Sequence, residues 1–371
     1  MTRSWRFGLL CSQTGVTASV ENTQLNASLL AIEQLNEAGG VAGRLIEPVI
    51  HDPASNPRQF AAVAERMLAR EQIRLIFGCY MSSTRKALLP LVEAYRGLLF
   101  YPTLYEGFEY SRHCIYTGAA PNQNSMQLAS YLFATYGKRL LLVGSNYIYP
   151  YESNRIMTEL VHQAGGVVLD EIYVPLTPHR SDFDTAITRI GRTRPDVIFS
   201  TVVGEGTAMF YEAYHKAGFD AASMPIASLT TSEAEVAEMS AGAARGHITA
   251  SPFFDILPHR SAVDFVASYR ARFGSAAPVP AAAEAAYFQV ILAARAIARV
   301  GSDDPALIQA ALPDHEIEAP QGFVRIDRDN NHCFLWPRVG RLGGNGSFEI
   351  VWESDGQVKP DPYRVTQTLD G

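Results

Sequence analysis

Two periodicities alternate along the first hundred residues. Short runs at 5–12, 45–51, 73–77 and 98–101 are rich in apolar residues and predict strands. Between them apolar positions recur every three or four residues. Leu25, Leu29, Leu30, Ile32 and Leu35 share one face of a helix predicted over 22–36, which the Gly39–Gly40 pair stops. A helix over 57–70 and another opening at Ser82 continue the series. Strands separated by helices of this length imply parallel βαβ units.

The alternation restarts after Pro121. Helices over 123–136, 153–164, 182–191 and 207–217 interleave with strands over 139–144, 167–174, 196–202 and 225–228. Two successive α/β sheets follow, with a first switch near 119–121 and a return near 247–254. An alanine-rich helix over 281–300 offers Tyr287, Ile291, Leu292 and Ile297 to a core. The chain then changes to short strands over 322–326, 332–335 and 348–352. "RDNNH" (328–332) and "GGNGS" (343–347) supply hairpin-like turns between them.

Composition fits this picture. The 371 residues exceed the usual single-domain size, which favours two lobes. Apolar residues make up 47% and charged ones 19%, as in ordinary globular proteins with a large core. A net charge of −7 without any basic block argues against a large phosphate-binding surface. No apolar run approaches the ~20 residues that cross a bilayer. The apolar run at 7–11 is too short for a secretory leader, so the start is expected to be the first strand and the protein cytoplasmic. Cys11, Cys79, Cys114 and Cys333 are far apart and lack metal-ligand spacing, so buried free thiols are expected.

Catalysis finds no support. There is no G-x-S-x-G elbow, Walker loop or H-E-x-x-H pair. "VVGEGT" (202–207) holds a lone G-x-G that reads as a strand-to-helix turn. "DRDNN" (327–331) opens like a calcium loop but has His332 where glycine is needed and Arg338 where the bidentate Glu belongs. The histidines do not pair at helical spacing. No catalytic residue, metal site or cofactor is expected.

Binding is another matter, because four loops after strands share one chemistry. "GCYMSS" (78–83) offers Tyr80 and Ser82, and "YPTLYEG" (101–107) offers Tyr101, Thr103 and Tyr105. "GSNYIYPYES" (144–153) offers Tyr147 and Tyr149, expected on one side of an extended segment. "SLTTSE" (228–233) offers Thr230. Open parallel sheets hold ligands at such strand ends. Hydroxyls donate and accept, and tyrosine rings add apolar walls, a lining suited more to a small polar neutral solute such as an amide, while the N-terminus of the helix after Ser82 leaves open a carboxylate. Each loop also has a plain structural reading, with Ser82 as a helix N-cap and Ser232 with Glu235 as a capping box.

These segments resemble the amide-sensing negative regulators of bacterial aliphatic amidase operons (the AmiC type), within the type I periplasmic-binding-protein superfamily. "GCYMSSTRKALLP", "YPTLYEGFEYS", "APNQNS", "YIYPYESN", "IASLTTSEAEV", "AEAAYFQ" and "EAPQGFVRIDRDNNH" carry the resemblance, which spans nearly the whole chain. It implies a two-lobed α/β fold in which each mainly parallel sheet is flanked by helices and three crossovers join the lobes. The first lobe would comprise 1–120 with 251–324, the second 121–250 with 325–371. A small aliphatic amide would lie between them, among Tyr80, Ser82, Tyr101, Thr103, Tyr147, Tyr149 and Thr230. Ser82 and Thr103 would bond its head and the tyrosines would limit its alkyl tail.

The resemblance further implies a cytoplasmic sensor that sequesters an RNA-binding antiterminator protein and releases it when amide binds. The sensor itself would touch neither nucleic acid nor membrane, and it could form a homo-oligomer. The alternative in the same superfamily is a solute-binding protein of an ABC importer for short amides, urea or branched-chain amino acids. An amino acid would want a carboxylate for its ammonium, and Glu205 is the candidate.

Overall fold

A computed structural model describes residues 4–364; the outermost ends of the two expected lobes, 1–3 and 365–371, lie outside the described residues. In the first half β1 (Trp5–Leu10) leads to α1 (Ala18–Glu37), β2 (Ile46–His51) to α2 (Pro57–Ala69), and β3 (Leu75–Gly78) to α3 (Ser82–Ala94). Then β4 (Leu98–Tyr101) loops to β5 (Cys114–Tyr116). All neighbours pair parallel in the order β2-β1-β3-β4-β5. Phe7, Phe77 and Phe100 stack across β1, β3 and β4 with ring centroids 4.7 and 4.6 Å apart. Local chemistry sets the helix starts: Asn56 accepts the Arg58 and Gln59 amides at 2.9 and 3.3 Å, and Pro57 fills the first turn of α2.

The second half runs α4 (Ser125–Thr135), β6 (Arg139–Ser145), α5 (Ile148–Gln163), β7 (Val167–Val174), α6 (Asp184–Thr193) and β8 (Val197–Thr201). It continues through α7 (Glu205–Lys216), β9 (Ile226–Ser228), α8 (Glu233–Val236), α9 (Ala241–Ala244) and β10 (Ile248–Ser251). The chain then returns to the first lobe as α10 (Arg260–Phe273), α11 (Ala281–Val300) and α12 (Pro305–Ala311). It ends with β11 (Glu316–Ala319), β12 (Gly322–Ile326), β13 (Cys333–Phe334), β14 (Arg338–Leu342) and β15 (Phe348–Glu353). The second sheet has the order β15-β14-β10-β9-β8-β6-β7; β14 pairs antiparallel with both β10 and β15, and the other neighbours pair parallel.

Four details depart from the sequence reading. Residues 322–326 do not cross between lobes. Together with β11 and β13 they form a small antiparallel sheet whose Val324, Ile326 and Cys333, like the following Leu335, pack into the first core. The third crossing therefore lies between β13 and β14, beyond the expected boundary at 324/325. Helix α5 starts at Ile148, because Pro150 in a first turn costs no hydrogen bond. Strands β5, β11 and β14 were not anticipated. Finally, α11 is long and apolar enough to span a membrane by length and composition, but 67% of its apolar window is buried inside the protein. It packs along α1, with Phe288, Leu292 and Ile297 in the first core.

Candidate functional site

Parallel topology brings the loops after β3, β4, β6, β8 and β9 to one cleft between the sheets. From the first lobe come Tyr80, Ser82, Thr103 and Leu104; from the second, Tyr147, Tyr149, Val203 and Thr230. The cavity among them holds about 10 Å³, close to the least that admits a single water. A larger apolar space of about 50 Å³ adjoins it on the hinge side, between Leu229, Phe254 and Ala285.

Tyr80, Ser82, Thr103, Tyr147, Tyr149 and Thr230 thus converge as expected from the sequence. Tyr101 does not line the cavity. It is the last residue of β4; its hydroxyl donates to the Tyr80 carbonyl at 2.7 Å and its ring lies 4.7 Å from the Arg85 guanidinium carbon. Its role is to hold Tyr80. Tyr147 and Tyr149 share a wall, but not in one extended segment: Tyr147 is extended at the start of α5 and Tyr149 sits in its first turn. Their rings are 6.3 Å apart. Glu205 is exposed at the start of α7 and lines no wall of the cavity. Ser232 and Glu235 do form a capping box, whereas Ser82 caps nothing: Met81 precedes the helix and Ser82 is its first residue.

The Ser82 and Thr103 hydroxyls each have two protein partners. Ser82 donates to Glu106 and accepts from Arg85 Nη1 at 3.3 Å. Thr103 donates to the Cys79 carbonyl at 3.2 Å and accepts from Gln24 Nε2 at 2.9 Å. Beneath Ser82, the fully buried Arg85 side chain pairs with Glu106 at 3.1 Å and Glu109 at 2.7 Å. Burial pushes the Glu109 carboxyl up, but Arg85 and Lys86 outweigh it and hold the group below the usual range. Burial also drives the Tyr80, Tyr147 and Tyr149 hydroxyls well above their ordinary value, so these walls are uncharged. The Tyr149 hydroxyl is buried without a hydrogen bond of good geometry, although Ser153 lies near it.

Gln24, Arg85, Glu106 and Val203 were not singled out in the sequence. The Ser82-x-x-Arg85 spacing on a helix was the available signal, since such pairs meet on one face. All four cysteines are buried and free. No group of three or more His, Cys, Asp or Glu suited to a metal occurs among the described residues.

Two glycines let the cleft form. A Cβ at Gly118, in the first crossover, would overlap the Thr103 backbone, so the loop bearing Thr103 rests directly on the crossover. Gly204, at φ +61°, faces the first lobe, where a Cβ would overlap the Val16 carbonyl oxygen. Gly204→Ala is therefore expected to prop the lobes apart and weaken ligand binding by at least tenfold. Small-angle scattering with the variant should show a larger radius of gyration that added ligand no longer reduces.

Residues 5–369 match the periplasmic binding protein domain family. A Pseudomonas aeruginosa leucine-, isoleucine-, valine-, threonine- and alanine-binding protein is 24% identical over 319 residues, 85% of this chain and 83% of that protein. The solute-binding protein of an ABC transporter from Rhodopseudomonas palustris, solved with 3,4-dihydroxybenzoic acid, is similar at TM-score 0.87 and 21% identity, covering 96% of this chain and 99% of that one. A branched-chain amino acid transporter substrate-binding protein from Streptococcus pneumoniae, solved with isoleucine, is similar at 0.82 and 18% identity, covering 96% and 100%. These relatives are binding proteins, and the structural likenesses speak for the fold. Matched over almost its whole length and built as two α/β lobes around a cleft, the chain belongs to the periplasmic binding protein family.

Proposed function

We propose that the protein is a solute-binding protein whose interlobe cleft takes a short uncharged amide, such as acetamide, propionamide or urea. The observation that carries this reading is the count of donors and acceptors around the cavity. The hydroxyl hydrogens of Ser82 and Thr103 point to Glu106 and Cys79, so each oxygen keeps a lone pair for a ligand N–H. Tyr149 contributes a buried hydroxyl without a well-formed partner, matched to a carbonyl oxygen. An amide presents both groups on one carbon. A carboxylate offers no N–H, and Arg85, the cation beneath Ser82, is already held by Glu106 and Glu109.

In the two transporter-linked structures named above, the bound solute is 3,4-dihydroxybenzoic acid or isoleucine, and delivery to an ABC transporter is the role their likeness favours for this chain. A second reading is the cytoplasmic amide sensor that releases an RNA-binding antiterminator. It is favoured by where its motifs fall: "SSTRK" and "YEGFEYS" supply the Ser82, Arg85, Glu106 and Glu109 cluster under the cavity. Both readings share the cleft and its ligand.

A thermal-shift titration with acetamide, urea, leucine and benzoate tests the ligand class. At a hundredfold excess over the dissociation constant, a ligand stabilises the native state by about 2.7 kcal/mol. Acetamide or urea should raise the melting temperature and leucine and benzoate should not; the opposite order would sink the amide reading. Tyr149→Phe should weaken acetamide by about 1–3 kcal/mol, because the ligand carbonyl then lies buried and unpaired. The ligand-free variant should melt no lower than the parent, since the lost hydroxyl had no well-formed bond to give up.

A further inference from the structure

We infer that Glu106 is a positioning residue that sets the polarity of Ser82 and so makes the cleft select an amide over the corresponding carboxylic acid. The inference rests on the amide reading and adds what enforces it.

Glu106 does not line the cavity. It lies behind Ser82, 2% exposed, with one carboxylate oxygen accepting the Ser82 hydroxyl and the other accepting Arg85 Nη2 at 3.1 Å. Arginine can only donate. Arg85 also donates to Ser82 Oγ at 3.3 Å, so the serine has its hydrogen pinned on Glu106 and one lone pair used by Arg85. What remains for a ligand is a lone pair. Thr103 is in the same condition through Cys79 and Gln24. Two acceptors lining one cavity bind the NH₂ of an amide and meet only oxygen lone pairs on acetate. The buried carboxylate of Glu106, beside a fully enclosed cation, thus has a function besides charge balance: it fixes where the Ser82 hydrogen points.

Glu106→Gln is a nearly isosteric test with a determinate outcome. The glutamine carbonyl must turn to Arg85, which offers only hydrogens, and its NH₂ then faces Ser82. Ser82 becomes the acceptor of that bond and turns its own hydrogen toward the cavity. Calorimetric titration of the full chain with acetamide and sodium acetate reads the result. In the native protein acetamide should bind and acetate should be at least a hundredfold weaker. In Glu106→Gln the acetamide-to-acetate ratio should fall by at least tenfold, through weaker acetamide and tighter acetate together.

Glu109→Gln separates polarity from charge. It removes the same unit of charge beside Arg85 but touches Ser82 nowhere, since Glu109 bonds Arg85 Nε, Lys86 and the Tyr116 hydroxyl. Its ratio should stay within threefold of native. Equal loss of selectivity in both variants, or an unchanged ratio in Glu106→Gln, would overturn the role of Glu106 while leaving the amide reading intact. Failure of the native chain to bind acetamide, propionamide or urea would overturn both. If Glu106→Gln does not fold, Ser82→Ala decides: it removes the oriented lone pair, and retained discrimination against acetate would overturn the inference.

Discussion

Replacing Arg85 by methionine is expected to lower the unfolding free energy by about 3–5 kcal/mol, the largest effect anticipated for any single side chain in the cleft region. The Arg85 side chain has no solvent exposure, and its two carboxylate partners, Glu106 and Glu109, are 3% and 13% exposed. Its guanidinium also lies 4.7 Å from the centroids of the Tyr101 and Tyr105 rings. Methionine replaces much of the volume but leaves two like charges facing each other without their cation; Lys86 at the rim is 44% exposed and screened by water. Denaturant unfolding of the ligand-free protein measures the loss. Adding Glu106→Gln to Arg85→Met should recover a large part of it, because the penalty is an uncompensated charge rather than missing packing. A double variant no more stable than the single one would show that stacking on the tyrosines is what Arg85 contributes.

The second large effect is a fall in stability with rising pH. Burial raises the carboxyl of Glu284 from its ordinary 4.5 to about 8, against the lowering effect of its bonds to Gln321. Burial likewise lifts Glu21 and Glu235 to about 7. A carboxyl whose folded pKa lies above its unfolded one stabilises the fold fully below about pH 4.5; the contribution falls progressively from there and is gone once pH has risen through the folded value of 7 to 8. For Glu284 alone the rise from 4.5 to about 8 corresponds to a loss on the order of 5 kcal/mol between those two pH values. Melting temperatures should therefore decline between pH 5 and 9. Glu284→Gln, which cannot ionise, should flatten the upper part of the profile. An unaltered slope in the variant would assign the titration to other groups.

What was legible in the sequence and what was not divide along physical lines. Helix α11 and strand β4 were placed residue for residue, since each carries its signal locally: twenty residues of helical periodicity in one case, four consecutive apolar residues in the other. Strand β5 is only three residues long and exists through its pairing with Leu99–Tyr101, a partner its own residues do not announce. Strand β14 (RVGRL) lacks a two-residue alternation, its arginines standing three apart, and Arg338 is buried there because Glu353 on β15 neutralises it. In the cleft, residue types and strand-end positions identified six of the lining side chains. Hydrogen-bond polarity was invisible, because it depends on Glu106 meeting Ser82 across 24 residues of chain.

The tightness of the closed cleft bears on kinetics. With about 10 Å³ among the tyrosines, the cleft has room for about one water while Gly204 lies against Val16, so a larger solute needs the lobes to part. Capture and escape both wait for the lobes to part, so the gate imposes one shared ceiling on arrival for every solute of the class. Chemically different guests then differ in how long they are kept rather than in how fast they are caught.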